Sequence, residues 1–250
     1  MHERRPWEPI RAVLFDKDGT LIDFRASWLA AYRGAALELA ALAGAGRDFA
    51  PALLARHGYD PATDSFEPTS PLLWATTGQL ALLWGAEPEL AGLAGVEPVL
   101  ERHFSDQEAY PPVPVTDLGS LFDRLRGRGL RLGVATMDQA TAAEATLARL
   151  GLRQRIDFLA GADSGFGLKP GAGMVQAFCR VVAVPPAAVA VIGDNLADIA
   201  MARAAGAGLA VAVLTGGCPA PPLAAVADLV LESIAVLEPA LEAWPPAAAS

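Results

Sequence analysis

Residues 11–23 read RAVLFDKDGTLID. The apolar run Ala12-Val13-Leu14-Phe15 stops abruptly at Asp16-Lys17-Asp18-Gly19-Thr20. A short, continuous apolar run bounded by a turn signal suits a strand buried on both faces, as in a parallel sheet covered by helices. Ligands of open α/β sheets bind beyond the carboxyl ends of the strands. Two carboxylates and a turn-forming glycine at that end therefore raise a functional question as well as a structural one.

Working outward, the C-terminal half repeats the pattern. LRLGVAT (130–136), IDFLAGAD (156–163), AVAVIGDN (188–195) and GLAVAVLTG (208–216) are strand-like. Between them, DQATAAEATLARLG (138–151), AGMVQAFCRVVAV (172–184) and LADIAMARAAG (196–206) have helical composition. TDLGSLFDRLRGRG (116–129) reads as a helix, and 227–244 as a short strand and a last helix. Apolar strands alternating with helices predict a doubly wound parallel sheet. Residues 24–108 differ. Helical runs at 24–44, 50–58, 70–85 and 88–104 are separated by Gly-, Pro- and Asp-rich breaks, with no strand among them. The expected organisation is a Rossmann-like α/β core of residues 1–23 and 109–250, with an all-helical domain, 24–108, inserted after the first strand.

The 250 residues carry a net charge of −9 and are 53% hydrophobic. Such a surface repels nucleic acid and anionic membranes, so neither is expected as a partner. No run approaches the roughly 18 apolar residues of a spanning helix. The first ten residues, MHERRPWEPI, lack the apolar segment of a signal peptide. Cys179 and Cys218 have no metal-type spacing and suggest no disulfide framework, which points to the cytoplasm. The composition is compatible with a monomer or a homodimer.

Other strand ends are polar too. Thr136 closes the strand at 130–136; Gly193-Asp194-Asn195 closes 188–193, with Asp198 three residues further; Lys169-Pro170 precedes the helix at 172–184. Each has a structural explanation alone: Asp-Gly makes turns, and Asn or Asp caps helices. Together, a parallel sheet brings them to one edge. Several carboxylates beside a lysine and a hydroxyl are costly unless a cation shares the site, and hard oxygen donors suggest Mg²⁺. A cation, Lys169 and the N–H groups of the 18–20 turn would hold a phosphoryl group. Of the 19 basic side chains only Lys17 and Lys169 are lysines, and both lie in these motifs. An arginine fork does not replace a compact ammonium at a crowded phosphate.

These four motifs resemble those of the haloacid dehalogenase-like hydrolase superfamily, in order and over the whole chain. Asp16 to Thr20 is similar to its Asp-x-Asp-Gly-Thr motif, Thr136 to the second, Lys169 to the third, and Gly193 to Asp198 to its Gly-Asp-x-x-x-Asp. The insert is similar to a C1 cap of the phosphoglycolate phosphatase or β-phosphoglucomutase type. The resemblance implies a phosphatase acting on a small phosphorylated metabolite, with Asp16 as nucleophile and Asp18 as acid and base. It implies Mg²⁺ on the Asp16 carboxylate, the Asp18 backbone carbonyl and Asp194. Thr136 and Lys169 would contact the phosphoryl group. Asp198 would orient Lys169 or a metal-bound water, with Gly19, Thr20 and Asn195 in support.

Asp18 argues against a dehalogenase, and the absence of lysine from 24–108 argues against Schiff-base chemistry. A phosphomutase or a non-catalytic binding module stays open. A dinucleotide-binding oxidoreductase would need a glycine-rich turn where this chain has charge. Arg25, where the chain enters the insert, is the candidate for a second anionic group of the substrate. Trp28, Trp74 and Trp84 read as core of the insert, and His57 and His103 as locally satisfied or solvated.

Overall fold

The computed structural model describes residues 10–243. In chain order the chain forms β1 (Ala12–Phe15), α1 (Phe24–Leu42), α2 (Phe49–Arg56), β2 (Tyr59–Asp60), β3 (Ser65–Phe66), α3 (Thr77–Gly85) and α4 (Val96–Ser105). Next come α5 (Leu118–Gly127), β4 (Arg131–Ala135), α6 (Ala140–Arg149), β5 (Phe158–Ala160), α7 (Gly173–Val182), β6 (Val189–Gly193) and α8 (Leu196–Ala205). The chain closes with β7 (Leu209–Val213), α9 (Ala220–Ala224), β8 (Leu229–Leu231) and α10 (Leu237–Ala243). These fall into two compact units: the described residues through Ile22 together with those from Pro114 onward, and Asp23–Val113.

The first unit is built on a six-stranded sheet of order β5-β4-β1-β6-β7-β8, all parallel. β1 obeys the period of two. Val13 and Phe15 face Leu121, Phe122 and Leu125 of α5, whereas Ala12 and Leu14 face Met174, Val175 and Phe178 of α7. Both faces are thus apolar, and Phe15 stacks on Phe122 with centroids 5.1 Å apart. Phe15 is level with Val134 on β4 and Ile192 on β6. The next residues along these three strands therefore leave the sheet at one edge.

The second unit packs α1 to α4 around Leu39, Leu53, Leu80, Trp84 and Leu100, all 2% exposed or less. Its two ends meet, since Asp23 N–H donates to the Val113 carbonyl at 2.8 Å and Val113 N–H to Ser27 Oγ at 3.0 Å. Those bonds draw residues 109–113 into this unit. Three local expectations need correction. β2 and β3 pair as an antiparallel ribbon, so this unit is not all-helical. The helical run at 70–85 is a 3₁₀ turn at Pro71–Leu73 followed by α3, because Thr76 and Gln79 form a capping box that starts a new helix. The run at 88–104 is a 3₁₀ turn at Pro88–Leu90 and then α4. Among the described residues no helix is long and apolar enough to cross a membrane.

Candidate active site

The site lies at the carboxyl edge of the six-stranded sheet. Asp16 follows β1, Thr136 follows β4, and Asp194 follows β6. Lys169 comes from the segment before α7, and Asp198 from the first turn of α8. All five are buried. Sequence separation disappears here because three adjacent parallel strands share one register.

Lys169 Nζ donates to Asp16 Oδ1 at 2.5 Å and to Asp198 Oδ1 at 2.6 Å. Its side chain is 1% exposed, so this ammonium has left water for two carboxylates. Burial alone would lower its pKa, but Asp16 and Asp198 outweigh it and hold Lys169 charged, above its ordinary value. The second Asp198 oxygen accepts from Asn195 N–H at 3.2 Å, and Asn195 Oδ1 accepts from Ala197 N–H at 2.8 Å. Asn195 and Asp198 are thus the two halves of the α8 capping box, while Asp198 also fixes Lys169.

Asp16, Asp194 and Asp198 each offer an oxygen within 4.8 Å of the others. Against one lysine, three carboxylates leave two negative charges in a buried space. The cost appears in the titration. Desolvation, offset in part by Lys169 and reinforced by Asp198 and Asp18, pushes Asp16 up to about 7. Desolvation, with the charges of Asp16 and Asp198, raises Asp194 well above the usual carboxylate range. Asp194 Oδ1 is moreover fully buried without a hydrogen-bond partner. A buried, unpaired carboxylate oxygen facing like charges is what a divalent cation relieves.

Two glycines make room for Asp194. Gly19 has φ +82°, and a Cβ there would stand 2.6 Å from Asp194 Cγ. A Cβ on Gly216, beyond β7, would collide with the Asp194 carboxylate itself. Thr215 Oγ1 donates to the Gly19 carbonyl at 2.6 Å and braces the turn. Thr20 is fully buried in that turn, and its hydroxyl has no partner.

Asp18 lies on the outer side of the cluster. Lys17 Nζ is 2.7 Å from its Oδ1, and Thr136 Oγ1 is 3.4 Å from its Oδ2. Lys17 also reaches Asp138 Oδ2 at 3.4 Å. Neither Asp138 nor the Thr215-Gly216 pair is singled out by the sequence reading. The available signal was position: both follow strands that end at the same edge.

Arg25 is in the smaller unit, where it pairs with Asp64; about half of each side chain is exposed. Tyr59 hydroxyl donates to Asp64 Oδ1 at 2.6 Å and accepts from Arg33 at 2.9 Å. Arg25, Arg33, Tyr59 and Asp64 line a hollow of about 410 Å³. Trp84 is core and Trp28 packs against it, but Trp74 is 43% exposed, which corrects the reading of all three as core. His57 Nδ1 bonds the Leu53 carbonyl, and His103 sits between Glu38 and Tyr110.

Comparison with known proteins gives the geometry a context. The model of the haloacid dehalogenase-like hydrolases matches residues 10–206. The plasmid phosphoglycolate phosphatase of Cupriavidus necator is 31% identical over 150 residues, covering 57% of this chain and 62% of that protein. The phosphoglycolate phosphatase of Chromobacterium violaceum is 34% identical over 135 residues, covering 54% and 58%. The chain thus spans under two thirds of the length of these relatives. A crystal structure from Haemophilus somnus 129pt, described as a "predicted phosphoglycolate phosphatase", superposes with TM-score 0.70 at 15% identity, covering 92% of this chain and 97% of that one. At that identity the likeness is one of fold.

Proposed function

This chain belongs to the haloacid dehalogenase-like hydrolase family, and from that premise we propose that it is a Mg²⁺-dependent phosphatase of small phosphorylated metabolites. The observation that carries the reading is the buried group of Asp16, Asp194, Asp198 and Lys169, short of two positive charges. The donors fit Mg²⁺: they are hard oxygens, and one of them, Asp194 Oδ1, lacks a partner. The Asp16 carboxylate, the Asp18 backbone carbonyl and Asp194 would hold the ion. When bound, it would draw charge from the phosphoryl oxygens and offset the carboxylates.

The chain's own residues account for the transfer. An Asp16 oxygen bonds to phosphorus as the bond from phosphorus to the leaving oxygen breaks, and the Asp18 proton goes to that oxygen. Water then bonds to phosphorus and gives a proton back to Asp18, while the bond from phosphorus to Asp16 breaks and frees phosphate. Lys169 counters the charge on Asp16 and on the moving group, and Asp198 keeps Lys169 in place. Thr136 donates to a phosphoryl oxygen, whereas the Gly19 N–H donates to the Ile22 carbonyl at 2.8 Å and closes the turn. Asn195 caps α8 and so fixes Asp198.

The smaller unit acts as a C1-type cap that selects the substrate. A phosphoglycolate-like ester is the first candidate, since two relatives carry that activity in their names. Arg25 supports it: half-exposed, it already binds a carboxylate, Asp64, whose place a substrate carboxylate would take. The two free, buried cysteines support a cytoplasmic enzyme. The test is phosphate release from a panel of phosphorylated metabolites, with Mg²⁺ or with EDTA. Release that requires Mg²⁺ supports the reading; no release from any ester sinks it.

A further inference from the structure

Lys17 is a buried charge that the mechanism above leaves without a task. Its side chain is 1% exposed, with Nζ 2.7 Å from Asp18 Oδ1 and 3.4 Å from Asp138 Oδ2. Neighbouring side chains on an extended strand point to opposite faces, so a lysine does not meet the next residue's carboxylate by default. Here the backbone bends at Lys17, and the ammonium folds back between two carboxylates.

Asp138 is itself held firmly. Its N–H donates to Thr136 Oγ1 at 3.1 Å, its Oδ1 accepts from Gln139 N–H at 2.8 Å, and its carbonyl accepts from Ala162 N–H at 2.8 Å. It thus belongs to a turn braced between the ends of β4 and β5. Lys17 sits in a fixed ionic clamp and is not a solvated loop lysine.

We propose that Lys17 is a positioning residue for Asp18: it pins Oδ1, with Asp138 as the second anchor, so that Oδ2 faces the Thr136 hydroxyl. The proposal rests on the reading of Asp18 as the proton carrier. An Asp18 free to rotate would present the wrong oxygen, or none, to the leaving group and then to water. Proton transfer within a fixed geometry is steeply sensitive to such displacement.

The experiment is a double-mutant cycle on the full chain with p-nitrophenyl phosphate and Mg²⁺, reading kcat and KM for wild type, Lys17→Met, Asp18→Asn and the pair. Lys17→Met is expected to lower kcat roughly 10- to 100-fold with KM within about twofold of wild type. In the Asp18→Asn background the same change should alter kcat less than about twofold, because its target is gone. Asp138→Asn, which keeps the shape of the side chain, covers the case in which Lys17→Met does not fold; it should lower kcat roughly threefold or more, again only while Asp18 is present. Equal losses in both backgrounds, or a wild-type kcat in Lys17→Met, would overturn the positioning role alone. Wild-type turnover in Asp18→Asn would overturn the reading of Asp18 beneath it as well.

Discussion

Lys169→Met removes the one cation shared by Asp16 and Asp198, while methionine keeps the length of the stem. Breaking a buried ion pair by deleting one partner costs about 3–5 kcal/mol, because the other partner is left charged and unsolvated. The size of the loss should depend on pH, and its sign follows from Asp16. With Lys169 present, burial already lifts Asp16 to about 7. Between the usual 3.8 and about 7 the folded chain holds a proton there that the unfolded chain has lost, so this contribution to stability falls as pH rises through that window. Without Lys169 the folded-state pKa moves higher still. Above about pH 7 the variant then keeps a proton that wild type has released, and the gap between them widens by up to about 1.4 kcal/mol per pH unit. Urea unfolding in EDTA tests this directly. The variant should be less stable by about 3–5 kcal/mol at about pH 8.5 and by roughly 2 kcal/mol less than that at about pH 6.5. A gap below about 1 kcal/mol at the higher pH, or the same gap at both, would refute the account of a lysine offsetting buried carboxylates.

Other consequences follow from the same geometry. Gly216→Ala puts a Cβ into the Asp194 carboxylate; calorimetric titration should show Mg²⁺ affinity reduced roughly tenfold or more, with stability changed by about 1–3 kcal/mol. Because Asp16 and Asp194 hold protons more tightly than ordinary carboxylates, Mg²⁺ must displace them, so its thermal stabilisation should be larger at about pH 8 than at about pH 5.5 in a melting assay. Phe122→Ala removes the ring stacked on Phe15 and should cost about 3–5 kcal/mol in denaturant unfolding. Arg25→Ala loses only an exposed ion pair and should change stability by less than about 1 kcal/mol, while raising KM for a carboxylate-bearing ester.

What was legible in the sequence was whatever depends on runs and order. β1 could be read from four apolar residues because a strand buried on both faces needs no alternation. Asp16, Thr136 and Asp194 could be grouped because they follow strands of one parallel sheet, whose register then puts them side by side. The ribbon of β2 and β3 could not be read, since two-residue strands show no period. The pairing of Lys17 with Asp138 was hidden for another reason: it depends on the path of the turn after Thr136, which no spacing rule fixes. Asn195 and Asp198 were readable as a helix cap, and the resemblance left Asp198 to orient either Lys169 or a metal-bound water; the structure places Asp198 on Lys169. Trp74 was misread because an aromatic in an apolar run is ordinarily core, whereas here it lies between two short helices, exposed, with its indole N–H on the Thr69 carbonyl at 3.3 Å.

The central claim is that the Asp16 carboxylate carries the phosphoryl group during turnover. Acid quench of the enzyme during turnover of ³²P-labelled phosphoglycolate with Mg²⁺, followed by peptide mapping, tests it most directly. The account predicts base-labile label on the peptide that holds Asp16, and none in Asp16→Asn, which should also have lost phosphate release. Steady release of phosphate from an Asp16→Asn enzyme, or label on a residue other than Asp16, would contradict it.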